Sequence, residues 1–252
     1  MHHIVVPSID PEANTLAIEG EQARHAVRVR RMETGEHLVL LDGVGTKARA
    51  IVEGSDKNGP QSSWRLLVRI LETSRVPRPN PEVHVLCPAP KGDLLETMID
   101  QLSQVGAMSW RPLETERSER EPRQGKLDRL ARVAVESAKQ CQRPWFMELH
   151  DPMVYEEALA MPGAVLADPM GVPPIRVFMD IPADTWARGI HVLVGPEGGF
   201  SDRERSVAVQ AGLPLVGLGP HVLRIGTAAV VAASGFTTAQ RAGNADAWET
   251  YS

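Results

Sequence analysis

His191-Val192-Leu193-Val194-Gly195-Pro196-Glu197-Gly198-Gly199-Phe200-Ser201 decides the fold class of this chain. A short apolar strand ends in a glycine-proline loop, and Ser201-Asp202-Arg203-Glu204 then reads as a capping box that starts a helix. The arrangement recurs downstream, where Leu215-Val216-Gly217-Leu218 runs into Gly219-Pro220-His221-Val222-Leu223-Arg224-Ile225-Gly226-Thr227. Two strands that each feed a helix through such a loop predict a crevice at the carboxyl ends of a parallel sheet. Open α/β sheets bind their ligands in such crevices.

Working upstream, the same rhythm continues. Val83–Cys87 and Ala164–Ala167 read as further buried strands. Leu95, Met98, Ile99, Leu102 and Val105 recur at three- and four-residue steps, predicting a helix over Asp93–Val105 that stops at Gly106. A second helix is expected from Lys126 to Gln142, and a last one, rich in alanine and valine, over Thr227–Arg241. Strand-helix alternation over 82–245 predicts an α/β domain with a mostly parallel sheet. Ahead of it, Thr73-Ser74-Arg75-Val76-Pro77-Arg78-Pro79-Asn80-Pro81 is polar and proline-rich, so 74–81 reads as a linker. Residues 1–73 hold short β-type runs at Ile4–Pro7, Glu36–Leu41, Thr46–Val52 and Trp64–Leu71, with a helix over about Glu21–Arg31. Asp42-Gly43 marks a hairpin between two of them, and the whole predicts a small closed or half-closed barrel.

Composition is that of an ordinary globular protein: of 252 residues, 42% are hydrophobic and 23% charged. These fractions exclude the disordered and fibrous classes. No apolar run approaches the roughly 20 residues that cross a bilayer, and Met1–Pro7 lacks the pattern of a secretory leader. No membrane association is expected, and the cytoplasm is the expected compartment. Cys87 and Cys141 are isolated, which predicts buried thiols in a reducing compartment and neither a metal site nor a disulfide framework.

The net charge of −5 argues against a nucleic-acid partner, but its distribution argues for one. Between Arg111 and Arg143 nine basic residues stand against six acidic ones, and Arg24-His25-Ala26-Val27-Arg28-Val29-Arg30-Arg31 forms a second basic knot. Each patch alone is equally consistent with a solvated helix face. Gly43-x-Gly45-x-x-Ala48 matches a dinucleotide fingerprint formally, but no helix follows it to hold a pyrophosphate. Walker, HExxH and nucleophile-elbow motifs are absent. The loop at Gly195–Gly199 is different: so many glycines are costly in entropy for a plain connection, and they let the backbone approach a flat ligand. Val222 and Leu223 are poor loop material unless they pack over something such as an adenine ring. Arg224 between them and Ile225 is either a structural ion pair or a catalytic cation.

Val194–Ser201 and Leu218–Ala228 together resemble the two signature loops of the SPOUT-class RNA methyltransferases, and within that class the RsmE type, the 16S ribosomal RNA (uridine-N3)-methyltransferases. Three further stretches resemble the family in the right order: His25–Met32, Glu116-Arg117-Ser118, and Glu136, Gln140 and Arg143 at a helix end. The chain departs from the family pattern at Gln101, Gln104, His221 and Gly226.

The resemblance implies an N-terminal PUA-like β-barrel and a C-terminal SPOUT domain with a deep trefoil knot. It implies a homodimer and S-adenosylmethionine as cofactor. Cofactor contacts would fall on Leu166, Asp168, Val194, Gly195, Pro196, Glu197, Gly198, Gly199, Leu218, Gly219, Val222, Leu223, Ile225, Thr227 and Ala228. His25, Arg28, Arg30, Arg31, Arg117, Arg120 and Arg143 would hold 16S ribosomal RNA of the small ribosomal subunit. Arg224 would be the catalytic cation, assisting loss of the N3 imide proton to solvent, Glu197 or Asp168. Two other classes fit the sequence: a SPOUT-fold RNA-binding protein with an altered target or no methyl transfer, and a metabolic enzyme with a nucleotide-like substrate.

Overall fold

The computed structural model describes residues 1–57, 63–118 and 124–242. The chain divides into two compact units, Met1–Arg78 with Ala138–Phe146, and Pro79–Ser137 with Met147–Ser252.

The first unit is a curled sheet built from β1 (His2–Val5), β2 (Thr15–Glu19), β3 (His37–Leu41), β4 (Thr46–Asp56) and β5 (Arg65–Arg75), in the order β1-β3-β4-β5-β2. β1 and β3 are parallel and the other pairs antiparallel. Bulges in the β4–β5 ladder at Arg49/Ala50 and Val52/Gly54 bend it, as an extra residue on one strand must. Its concave side buries Ile4, Leu38, Leu40, Ala50, Leu66 and Val68 against Ala23, Ala26 and Met32. Ala23 lies on α1 (Gly20–Arg24), which runs into a π-helical turn, His25–Val29. The expected hairpin is present: Asp42 Oδ1 accepts from the amides of Val44 and Thr46, both at 2.9 Å.

Three expectations for this unit need correction. β2 has no counterpart among the expected strands. β5 continues through Thr73, Ser74 and Arg75, because β4 is there to pair with them, so the strand extends into the expected linker. The unit also takes back a segment from far along the chain. Gly45 N–H donates to Pro144 O at 2.9 Å, Phe146 N–H to Gly43 O at 3.0 Å, and the Trp145 indole to Val76 O at 3.1 Å. A Cβ on Gly43 or Gly45 would lie 2.4 Å from the Phe146 or Trp145 ring. The formal dinucleotide fingerprint is thus a seat for two aromatic rings. Arg75 and Arg78 lie over Trp145 at 5.9 and 5.2 Å from its ring centre.

The second unit follows as β6 (Val83–Leu86), α2 (Leu94–Gln104), β7 (Ser109–Arg111), β8 (Leu113–Glu114), α3 (Gln124–Gln140), β9 (Glu148–Leu149), β10 (Met153–Val154), α4 (Tyr155–Leu159), β11 (Ala164–Val172), α5 (Pro174–Asp180), β12 (Ile190–Leu193), α6 (Asp202–Gln210), β13 (Leu215–Val216) and α7 (Ile225–Ala242). Six strands form one parallel sheet, β13-β11-β12-β6-β7-β9, and β8 and β10 make a separate parallel pair. Alternation along the strands sorts the core into two layers. Val83, Val85, Val165 and Val192 pack with Ile99 of α2, Leu130 of α3, Val177 of α5 and Phe236 of α7. Leu86, Leu166 and Leu193 pack with Tyr155 of α4 and Ala208 of α6.

The buried Cys87 accepts from the Trp110 indole at 3.2 Å, and burial pushes its thiol up to about 12. Cys141 is exposed, contrary to expectation, because α3 has ended and the chain is turning there. Among the described residues no group of His, Cys, Asp and Glu is placed to hold a metal ion, and no helix is long and apolar enough to cross a membrane.

Candidate functional site

In the sheet order, β11 lies between β12 and β13, and its register sets Leu166 opposite Leu193 and Ala167 opposite Val216, so the carboxyl ends of β12 and β13 flank the middle of β11. β12 delivers Val194–Gly199, β13 delivers Leu218–Arg224, and β11 delivers Leu166–Asp168 between them. Segments separated by many residues are brought together here by strand pairing alone. The amino ends of β12 and its neighbour β6 carry a stacked histidine pair, His84 and His191, with ring centres 4.6 Å apart. Burial and Arg111 hold His191 below the usual histidine range, against the bond its Nδ1 makes with Pro162 O at 2.8 Å.

The first loop is tight. Gly199 N–H donates to Pro196 O at 2.8 Å, and Gly199 sits at φ +66°. Gly219 in the second loop has φ +134°. No atom lies within 4 Å of where a Cβ would project from either glycine. Glu197, Gly198 and Gly199 are exposed, whereas Val194 is buried and Gly195 and Pro196 are half-buried. In the second loop Leu218 and Leu223 are half-buried, while Val222 is 93% exposed. Among the described residues, the amides of Leu218, Gly219, Val222 and Leu223 meet no protein acceptor. Unpaired backbone donors beside apolar side chains are what an adenine edge and face require. Ile225, Thr227 and Ala228 are not loop residues but the first turn of α7. Gly226 is there too, and a Cβ on it would meet Met98 at an ordinary 3.7 Å, so packing does not demand glycine.

Arg224 occupies the cap position of α7, its carbonyl accepting from Ala228 N–H at 2.8 Å. Its side chain is exposed and, among the described residues, makes no ion pair or hydrogen bond. Of the two readings of this residue, the structural ion pair is therefore excluded within the described chain.

Asp168 differs from expectation. It is buried, and Arg205 of α6 grips it through two bonds, Nε–Oδ2 at 2.7 Å and Nη2–Oδ1 at 3.1 Å. Its Oδ1 also accepts from Met170 N–H at 2.8 Å. Both oxygens of this carboxylate are thus engaged by charge-assisted or backbone hydrogen bonds. Leu166, Asp168, Arg205, Val209 and Leu215 line a depression of about 370 Å³.

Arg117 also departs from expectation. Its Nη1 donates to Gly198 O at 2.8 Å, so it braces the first loop. Arg120 lies outside the described residues. In the first unit His25, Arg28, Arg30 and Arg31 are exposed around the π-helical turn, and Arg28 lies over Trp64 at 6.0 Å. Arg143 is half-buried in the returning segment, bonded through its own N–H to Ala138 O at 2.9 Å. Gln104, one of the departures from the family pattern, donates to Asp100 at 2.9 Å, one helical turn away. Sequence reasoning gave no site role to Arg205, Arg203 or Tyr155. No local spacing connects them to their partners, and only the folded sheet does.

Residues 77–237 match the RNA methyltransferase domain family, and residues 18–62 match the RNA methyltransferase PUA domain. A ribosomal RNA small subunit methyltransferase E from Synechocystis is 31% identical over 91% of this chain and 74% of its own length. The corresponding protein of Mycobacterium bovis is 34% identical over 88% of this chain and 86% of its own. Among solved structures, a putative methyltransferase of Legionella pneumophila in complex with S-adenosylmethionine has a TM-score of 0.72 and 26% identity, covering 96% of this chain and 97% of that one.

Proposed function

The chain belongs to the RNA methyltransferase family of the ribosomal RNA small subunit methyltransferases E, and on that footing we propose that it methylates N3 of a specific uridine in 16S ribosomal RNA. The observation that carries this reading is the convergence of the loops after β12 and β13 on Leu166–Asp168 of β11, beside an arginine that is unpaired among the described residues.

S-adenosylmethionine is the cofactor of the family, and when bound it supplies an electrophilic methyl group on a sulfonium. Leu166, Val194–Gly199, Leu218, Gly219, Val222 and Leu223, with Ile225, Thr227 and Ala228 at the start of α7, are the residues we assign to hold it. When the cofactor is bound, the free amides of the second loop would be available to the adenine ring nitrogens, and Leu218, Val222 and Leu223 would offer its faces apolar contact. Arg224 stabilises negative charge on the uracil carbonyl oxygens that flank N3, which lowers the cost of losing the imide proton. That proton goes to solvent or to Glu197, the exposed carboxylate of the first loop, since Asp168 is committed to Arg205. N3 faces the partner base in a duplex, so the target uridine is unpaired or flipped out. His25, Arg28, Arg30, Arg31 and Arg143 of the first unit hold phosphates, giving position without reading sequence. Arg120 is assigned the same role from the sequence alone.

A homodimer built on the second unit and a trefoil knot in it belong to the same proposal. The dimer's support is α7, which buries Ala228, Ala229, Ala232, Ala233, Phe236 and Ala239 yet leaves Val231 at 37% exposure.

The test is radiolabelled methyl transfer to small ribosomal subunits that lack the modification, followed by mass spectrometry of the nucleosides. The protein yields 3-methyluridine, and Arg224→Ala suppresses the rate at least about 100-fold with RNA affinity unchanged. A methylated product other than 3-methyluridine, or full activity of Arg224→Ala, overturns the assignment.

A further inference from the structure

Glu204 has a role that helix capping does not explain. It is 2% exposed, and no cation among the described residues pairs with its carboxylate. Burying an ionised carboxylate is costly unless hydrogen bonds satisfy its oxygens. One oxygen, Oε2, accepts from Ser201 N–H at 2.7 Å and completes the capping box with the Glu204 N–H to Ser201 Oγ bond of 3.1 Å. The other, Oε1, accepts from Glu116 N–H at 2.9 Å, across 88 residues of sequence. That second bond has no part in starting α6.

It seats a turn, Thr115–Ser118, closed by Ser118 N–H to Thr115 O at 3.2 Å. The turn reaches back to the glycine loop at two more points. The Ser201 hydroxyl and then the Arg203 guanidinium hold the Glu116 carboxyl below the usual carboxylate range, and Arg203 is steadied in turn by Glu156 at 3.2 Å. Arg117 Nη1 meets Gly198 O at 2.8 Å. With Gly199 N–H on Pro196 O, both polar ends of the Gly198–Gly199 peptide are fixed.

We infer that Glu204 is a positioning residue for the glycine loop: its carboxylate seats the Thr115–Ser118 turn, and the turn, through Arg117, fixes the shape in which the loop meets the cofactor. This rests on the assignment of Gly195–Gly199 to S-adenosylmethionine, and it moves Arg117 from phosphate binding to loop support. A loop held in its binding shape before the ligand arrives spares the ordering cost of association.

The experiment compares three variants of the full chain by calorimetric titration with S-adenosylhomocysteine, thermal unfolding, and hydrogen exchange. Glu204→Gln keeps the size, but its amide accepts only one of the two N–H groups and turns a donor toward the other. The Kd rises roughly tenfold or more, and the Glu116 amide exchanges faster. In methyl transfer the loss falls on KM for the cofactor, with kcat at saturation within about twofold. Arg117→Ala, at an exposed side chain, shifts Kd the same way while the salt dependence of RNA binding stays unchanged; should Glu204→Gln fail to fold, this variant decides. Tyr155→Phe removes the 2.8 Å bond from the Tyr155 hydroxyl to Glu204 O without touching the turn, so it lowers the melting temperature and leaves Kd alone. Glu204→Gln and Arg117→Ala that bind as tightly as the unaltered protein overturn the inference. An unaltered protein that binds no S-adenosylhomocysteine overturns the loop assignment itself.

Discussion

Replacing Arg205 by alanine should cost the second unit much more than an ordinary surface ion pair. The Asp168 side chain is 3% exposed and that of Arg205 43%. Removing the arginine deletes two bonds to a buried carboxylate and, among the described residues, leaves only the one from Met170 N–H. Breaking a fully buried pair costs about 3–5 kcal/mol, and an exposed one about 0–1. One partner is buried and the other half in water, so about 2 kcal/mol is expected. For a chain of this size that lowers the melting temperature by roughly 4–8 °C. A double-mutant cycle in urea with Asp168→Asn isolates the pair. Asn needs no counter-charge, so the double variant should recover part of the loss, with a coupling of about 1–2 kcal/mol. If Arg205→Ala costs under about 0.5 kcal/mol, or the two changes simply add, then Asp168 is not held by Arg205 in solution.

The His191 prediction concerns pH. Its folded value lies below its unfolded one, so folding favours the neutral ring: the stability it contributes is complete above about pH 6.5 and is lost as pH falls through the folded value. Melting temperatures between about pH 8 and 5 should therefore decline below about 6.5, and the decline should shrink in His191→Gln. Gly45→Ala places a methyl group against the Trp145 ring at φ +101° and should destabilise the first unit by about 2 kcal/mol or more in urea titration, whereas Gly35→Ala, with φ +94° but open space, should cost less. Arg30→Ala should weaken RNA binding and lessen the slope of log affinity against log salt by about 0.7–0.9, with cofactor affinity unchanged. Light scattering at micromolar concentration should give twice the chain mass.

What could be read in the sequence was whatever a local pattern enforces. The two glycine-proline loops, the Ser201–Glu204 box, the helix stop at Gly106 and the hairpin at Asp42 each depend on residues within a few positions, and the structure has them where they were expected. Strand limits were less legible, since β5 runs on through Arg75 only because β4 lies beside it. β2 escaped notice because Thr15–Glu19 is short and half polar, and its place depends on pairing with β5. At the site, the family resemblance marked the loops, but the commitments of the charged groups stayed hidden. Asp168 and Arg205 are 37 positions apart and Glu116 and Glu204 are 88 apart, and no spacing rule reaches so far. Arg117 reads as a solvent-facing cation until Gly198 O is seen beside it.

The seat at Gly43 and Gly45 bears on how the protein is made. A ribosome releases the barrel strands first, but the Trp145 and Phe146 rings that fill the seat emerge on the order of 70 residues later, roughly 4–14 s at about 5–20 residues per second. For that interval the nascent barrel lacks its last piece and exposes the hairpin that will receive it. A fragment cut at Arg78 stays in that condition permanently. The first unit is therefore first in the chain without being first to be finished, and it is completed only after all of α3 has been synthesised.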